Sequence, residues 1–77
     1  MSEMQLLGRP DCHLCELAQA VLHEVAVAYT LVDIETSLEW EAHYGLRIPV
    51  LIGVDGRELD WPFVADQVRS WLAERAS

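Results

Sequence analysis

Two rhythms of apolar spacing alternate along the chain. Met4 to Gly8 is a short apolar run that reads as a buried strand. Leu14, Leu17, Ala18, Val21, Leu22 and Val25 then fall at offsets 0, 3, 4, 7, 8 and 11, which is one face of a helix starting near Cys12. Glu16, Gln19, His23 and Glu24 lie off that face. Residues 29–34 read YTLVDI, rich in β-branched and aromatic side chains, and predict a second strand. With a helix between them, the two strands are expected to run parallel, joined by a right-handed crossover.

The second half alternates in the same way. Thr36-Ser37-Leu38-Glu39 fits the capping box T-x-x-E, with Thr36 as N-cap, and opens a second helix. Gly45 suits the left-handed position that ends it. A third strand is predicted from Pro49 to Val54, a type I′ hairpin turn at Asp55-Gly56, and a fourth strand at Arg57 to Leu59. Asp60 is placed to cap the last helix, with Pro62 in its first turn. Val64, Val68, Trp71 and Leu72 are that helix's apolar stripe. The predicted order is β-α-β-α-β-β-α, an α/β fold with a four-stranded mixed sheet and helices on both faces. Trp40, Trp61 and Trp71 read as core or partly buried cover.

Composition narrows the picture. A chain of 77 residues makes one small domain, residues 1–77, which buries only about 60% of its unfolded surface. Its 52% hydrophobic content supplies a core without staples or metals. There is no run of about 18 apolar residues for a membrane span. MSEMQLLGRP has no basic flank ahead of a signal-length apolar core, so a cytoplasmic location is expected. The net charge of −8, with arginine as the only basic residue besides histidine, argues against binding a phosphate backbone; no nucleic-acid or membrane partner is expected, and the chain is expected to be a monomer.

The chemistry concentrates in residues 9–16, RPDCHLCE, which hold both cysteines. A structural disulfide between residues so close closes a very small loop and removes little unfolded-state entropy, and disulfide scaffolds belong to secreted chains. A zinc site needs a second pair of ligands. His13 lies between the cysteines, His23 stands eight residues beyond Cys15 and His43 is alone, so no metal site is expected. A reactive dithiol fits better. Cys12 falls at a helix N-terminus, where unpaired N–H groups and the helix dipole favour a thiolate. Arg9 adds positive potential; Asp11 and Glu16 oppose it. Cys15 aligns with Ala18 and Leu22 and leans toward the buried face. Cys12 is therefore the expected nucleophile toward a disulfide, and Cys15 the thiol that resolves the mixed disulfide.

C-x-x-C at a helix start inside a βαβ pattern reads as a thioredoxin-like redox motif. Together with Val32-Asp33-Ile34-Glu35 closing the second strand, Arg47-Ile48-Pro49-Val50-Leu51 opening the third, the Asp55-Gly56 hairpin and the closing helix, it makes the chain resemble glutaredoxins of the thioredoxin superfamily, in particular short bacterial glutaredoxin-like proteins. The resemblance runs nearly end to end. It implies a thioredoxin-like fold and a thiol–disulfide oxidoreductase that reduces protein or small-molecule disulfides. A binding module whose dithiol senses redox state, or is vestigial, is the alternative.

The resemblance also assigns a substrate groove. Read locally, Pro49 is a trans proline opening an edge strand; the resemblance implies a cis Ile48–Pro49 bond beside the dithiol, with the Ile48 backbone N–H and C=O open to an extended substrate. Departures from the family pattern fall in the same region. His13 and Leu14 replace its usual proline and tyrosine, Arg9 its lysine and Arg47 its threonine. Arg9 and Arg47 are expected to hold a substrate carboxylate. His13 either stabilises the thiolate of Cys12 or is an exposed first-turn residue. The family's Gly-Gly-Asp segment, which grips glutathione, has no counterpart in Leu59-Asp60-Trp61-Pro62-Phe63. Trp61 either presents an apolar surface near the dithiol or packs as core. No cofactor is expected to be required, and recycling is expected from glutathione or from a reductase.

Overall fold

The computed structural model describes residues 4–74. They form β1 (Met4–Gly8), α1 (His13–Val25), β2 (Tyr29–Asp33), a 3-10 turn (Ile34–Thr36), α2 (Leu38–Tyr44), β3 (Val50–Ile52), β4 (Glu58–Asp60) and α3 (Ala65–Glu74). The strands lie side by side as β2-β1-β3-β4. β1 and β2 are parallel, from Met4 opposite Tyr29 to Gly8 opposite Asp33. β3 runs antiparallel to both β1 and β4, with Leu7 opposite Val50 and Leu51 opposite Leu59. The expected β-α-β-α-β-β-α order and mixed sheet are present.

The period of two along each strand divides the core between the two faces of the sheet. Leu6 and Leu51 point to one face, where they meet Ala18 and Leu22 of α1 and Val68 and Trp71 of α3, with Phe63 closing the layer. Leu7 and Val50 point to the other, where Ile34 and the half-buried Trp40, Tyr44, Ile48 and Ile52 cover them. Helices therefore stand on both faces. No described helix is long and apolar enough to cross a membrane.

Several local expectations shift. The buried line of α1 is Cys15, Ala18 and Leu22, whereas Leu14 and Leu17 are 45% and 41% exposed. The apolar stripe is wider than the surface that the sheet and α3 cover, which is ordinary in a small domain. Ser37, not Thr36, is the N-cap of α2; its side chain accepts from the Trp40 N–H. Thr36 lies in the 3-10 turn and donates to the Asp33 carbonyl at 2.8 Å. Gly45 is right-handed (φ −53°), not left-handed. β3 is three residues rather than six, and β4 runs one residue further, so Asp60 is a strand residue and not a helix cap. Pro62 lies ahead of α3, joined to Trp61 by a cis bond.

The hairpin turn is not type I′, which needs positive φ at both central residues. Only Gly56 has it (φ 89°), while the Gly56 N–H reaches the Gly53 carbonyl at 3.0 Å and the Gly53 N–H the Arg57 carbonyl at 2.8 Å. That is the three-residue loop with glycine in the left-handed bulge position. Arg57 then ties the hairpin to α3: its guanidinium donates to the Trp71 carbonyl at 2.9 Å and to Asp55 at 2.9 Å, and stacks over the Trp71 ring.

α1 ends on Ala26, which takes the left-handed conformation (φ 64°, ψ 42°) and donates to the Leu22 and His23 carbonyls. Left-handed backbone costs an L-residue about 1–2 kcal/mol, part of which glycine gives back in unfolded-state entropy. Ala26→Gly is expected to raise stability by about 0.5–1 kcal/mol and the melting temperature by a few degrees. A calorimetric midpoint that stays put or falls would show the cap to be unstrained.

Candidate functional site

The dithiol lies where β1 passes into α1. Cys12 is the N-cap of α1, with extended backbone (φ −102°, ψ 108°), and its Sγ accepts the Cys15 N–H at 3.2 Å. Its carbonyl accepts the Glu16 N–H at 3.1 Å. The cap that serine or aspartate would supply is thus made by sulfur, and an unpaired helix N–H points at it. Cys12 and Cys15 are joined as a disulfide, with Cα atoms 5.2 Å apart. The two sulfurs occupy different surroundings: Cys12 is half-buried, Cys15 only 3% exposed. Gly8, the last residue of β1, backs directly onto Cys15. A Cβ there would stand 2.9 Å from its Sγ.

The turn that presents Cys12 is built by Pro10 and Asp11. Asp11 has φ 59°, and proline followed by a residue of positive φ is the pattern of a type II turn. Beside this turn is an open cavity of about 220 Å³. Arg9, Asp11, Cys12, Cys15 and Glu16 line it on one side, and Leu31 and Asp33 of β2 on the other. The parallel pairing of Gly8 with Asp33 carries the end of β2 to the dithiol. The Asp33 carboxylate also accepts the Glu35 N–H at 2.9 Å, which starts the 3-10 turn.

The remaining expected site residues divide into three groups. His13 and Leu14 occupy the first turn of α1, exposed beside the cysteines. Both arginines are engaged within the protein. Arg9 donates to the Gly45 carbonyl at 3.4 Å and stands 3.9 Å from Glu35, which ties the dithiol turn to the end of α2. Its Nε is buried without a hydrogen-bond partner. Arg47 does not line the cavity; it donates to Glu58 at 2.7 Å and Asp60 at 2.8 Å, and its guanidinium lies over the Tyr44 ring. Tyr44 donates to the same Glu58 at 2.5 Å. The Tyr44 and Arg47 hydrogen bonds hold the Glu58 carboxyl below the usual range, and the bond to Glu58 holds the Tyr44 hydroxyl above its own.

The third group surrounds the proline. The Ile48–Pro49 bond is cis and Pro49 is buried. Antiparallel pairing of Leu7 with Val50 sets Pro49 at the end of β3 nearest the dithiol turn. The Ile48 N–H is not open to a substrate, as the resemblance implied; it donates to the Tyr44 carbonyl at 3.1 Å. Trp61 packs edge-on against Phe63, with ring centroids 5.0 Å apart, and against the core. Its backbone N–H donates to the Pro49 carbonyl at 3.3 Å. It therefore neighbours Pro49 but does not line the dithiol cavity.

Among the described residues no three His, Cys, Asp or Glu side chains converge as metal ligands. Gly8, Leu31 and Asp33 are site residues that sequence spacing did not single out. A glycine ending a buried strand was the available signal for the first, since glycine within a strand marks close approach of another group. For Leu31 and Asp33 the signal was only the strand pairing.

Residues 3–73 match the family described as glutaredoxin-like domain (DUF836). Among solved structures, protein XcR50 from X. campestris is 46% identical, with a TM-score of 0.88 over 92% of this chain and 96% of that one. Protein Ne2328 from Nitrosomonas europaea is 24% identical, with a TM-score of 0.77 over 90% of this chain and 88% of that one. A mutant of the thioredoxin-like protein BC3987 is 19% identical, with a TM-score of 0.70 over 95% and 97%, a likeness of fold. No curated protein matches the sequence.

Proposed function

The chain belongs to the glutaredoxin-like domain family, and from that premise we propose that it is a thiol–disulfide oxidoreductase acting on protein or small-molecule disulfides. The observation that carries the reading is the inequality of the two cysteines: Cys12 caps a helix with a backbone N–H on its sulfur, and Cys15 is buried behind it. In the reduced protein the N–H and the helix dipole favour the Cys12 thiolate. That thiolate attacks one sulfur of a substrate disulfide, whose S–S bond breaks, and the first substrate thiolate leaves. Cys15 loses its proton and attacks the Cys12 sulfur, and the second thiolate leaves. Two electrons pass to the substrate, and Cys12–Cys15 is left oxidised.

His13 and Leu14, exposed beside the attacking sulfur, meet the substrate in this reading, and Ile48 and the buried Pro49, with Trp61 behind them, back the dithiol turn from the β3 side. No bound cofactor takes part in these steps. Return to the dithiol needs an external reductant, glutathione or a reductase, which suits a monomer working in the reducing cytoplasm.

The test is to oxidise the fully reduced protein with a molar excess of a small disulfide and, separately, to follow alkylation of Cys12 against pH. The expected result is one disulfide reduced per chain, with Cys12 reacting below the pH of about 8.5 at which a free thiol ionises. A chain that exchanges no faster than a free thiol, with both cysteines ionising like one, would overturn the proposal.

A further inference from the structure

The charge around the cavity deepens that reading and rests on it. Cys12 and Cys15 fix what the site receives, a disulfide; the groups beside them determine which one. Three carboxylates share the cavity with the sulfurs: Asp11 directly before Cys12, Glu16 directly after Cys15, and Asp33 from the neighbouring strand. Among the described residues Arg9 is the only cation that lines it; Glu35 stands 3.9 Å from that side chain and the Gly45 carbonyl accepts from it at 3.4 Å, while its Nε has no hydrogen-bond partner. Arg47, the other arginine expected to receive an anion, is held by two carboxylates, Glu58 and Asp60. Among the described residues, every arginine is ion-paired, while Asp11 and Glu16 form no salt bridge. The surrounding protein carries a net charge of −8, so its wider field has the same sign.

We infer that the dithiol cavity selects disulfides flanked by cationic groups, such as the amines of basic peptides, and discriminates against anionic ones, glutathione disulfide among them. Approach of a cation brings opposite charges together at the moment the mixed disulfide forms; approach of a carboxylate adds a negative charge to a lining that already sets three against the one positive charge of Arg9. The exposed Leu31 wall of the cavity accepts the apolar part of the same substrate. Each exchange is the two-electron step written above, with the reduced chain as reductant, so no further reactant is needed.

The experiment uses the pre-reduced full chain in single turnover with three probes: cystamine, a dication; hydroxyethyl disulfide, neutral; and dithiodiglycolate, a dianion. Each rate is divided by the rate of the same probe with a small neutral thiol, which removes differences in leaving group. At an ionic strength of about 0.01 M the cystamine-to-dithiodiglycolate ratio is expected to be roughly tenfold or more, and to shrink several-fold at about 1 M, where screening acts within about 3 Å. Glu16→Gln and Asp11→Asn are each expected to lower that ratio roughly two- to threefold at low salt. The ratio is read within one variant, so a change in Cys12 nucleophilicity cancels. A ratio near one, or in favour of the dianion, in a protein that still reduces hydroxyethyl disulfide would overturn the inference alone. Failure to reduce any of the three faster than the small thiol does would overturn the exchange reading, and this inference with it.

Discussion

Cys15→Ser is expected to leave the chain covalently attached to its substrates, and Cys12→Ser to leave it inert. Attack on a disulfide needs a thiolate, and only Cys12 holds a sulfur at the helix cap, where the Cys15 N–H donates to it. A serine hydroxyl there caps the helix as well or better, so Cys12→Ser should fold at least as well as the parent while its disulfide reduction falls to the rate of the buffer alone. Cys15, 3% exposed, is expected not to meet an outside disulfide and so not to replace the lost nucleophile. In Cys15→Ser the first attack survives within roughly a factor of ten, because the cap, the dipole and the exposure of Cys12 are unchanged. The second step has no thiol, so the mixed disulfide accumulates. Non-reducing gels and intact mass after exposure to hydroxyethyl disulfide separate the two: an adduct at one per chain for Cys15→Ser and none for Cys12→Ser. Adducts on Cys12→Ser in similar yield would mean that Cys15 is accessible, and would reverse the assignment of roles.

The parts of this site that were legible in the sequence are those that neighbours along the chain determine. C-x-x-C at a helix start sets both sulfurs one turn apart whatever the rest of the fold does, and Ala18 and Leu22 mark which side of that helix is buried. The strand and helix order followed from periods of two and of about 3.6 for the same reason. Cap positions were less legible because Thr36 and Ser37 are both good N-caps. Ser37 holds the position, and Thr36 is drawn into the turn that Asp33 begins.

What the sequence left hidden depends on register between distant strands. Arg47 looked free to bind a carboxylate. β4 pairs with β3 so that Glu58 and Asp60, two residues apart and on one side of the strand, both reach it. The partners of Arg57 on α3 are hidden for the same reason. Ile48 looked open to a substrate strand, yet the chain leaving α2 turns so that the Tyr44 carbonyl takes its N–H. Two arginines and one backbone donor that suggested anion and peptide binding are therefore engaged internally, and in the proposed reaction the groups nearest the sulfurs are left to select the substrate.

Gly8→Ala is expected to damage the site through packing alone. Gly8 ends β1 beneath the dithiol, and a Cβ built on it stands 2.9 Å from the Cys15 Sγ and 3.3 Å from its Cβ. The sulfur cannot retreat freely, because Cys15 is a buried residue on the core line of α1. Overpacking of this kind costs about 1–3 kcal/mol, and each kcal/mol lowers the melting temperature of a domain this size by about 4–8 °C. Movement of the Cys15 sulfur should also slow the resolving step, so that mixed disulfides last longer while alkylation of Cys12 keeps its rate. A double-mutant cycle isolates the contact. In a Cys15→Ala background the sulfur is gone, and the penalty of Gly8→Ala should shrink by about 1 kcal/mol or more, a coupling well outside the additivity of distant sites. Equal penalties in the two backgrounds would place the cost elsewhere along β1 and remove Gly8 from the account of how the buried thiol is held.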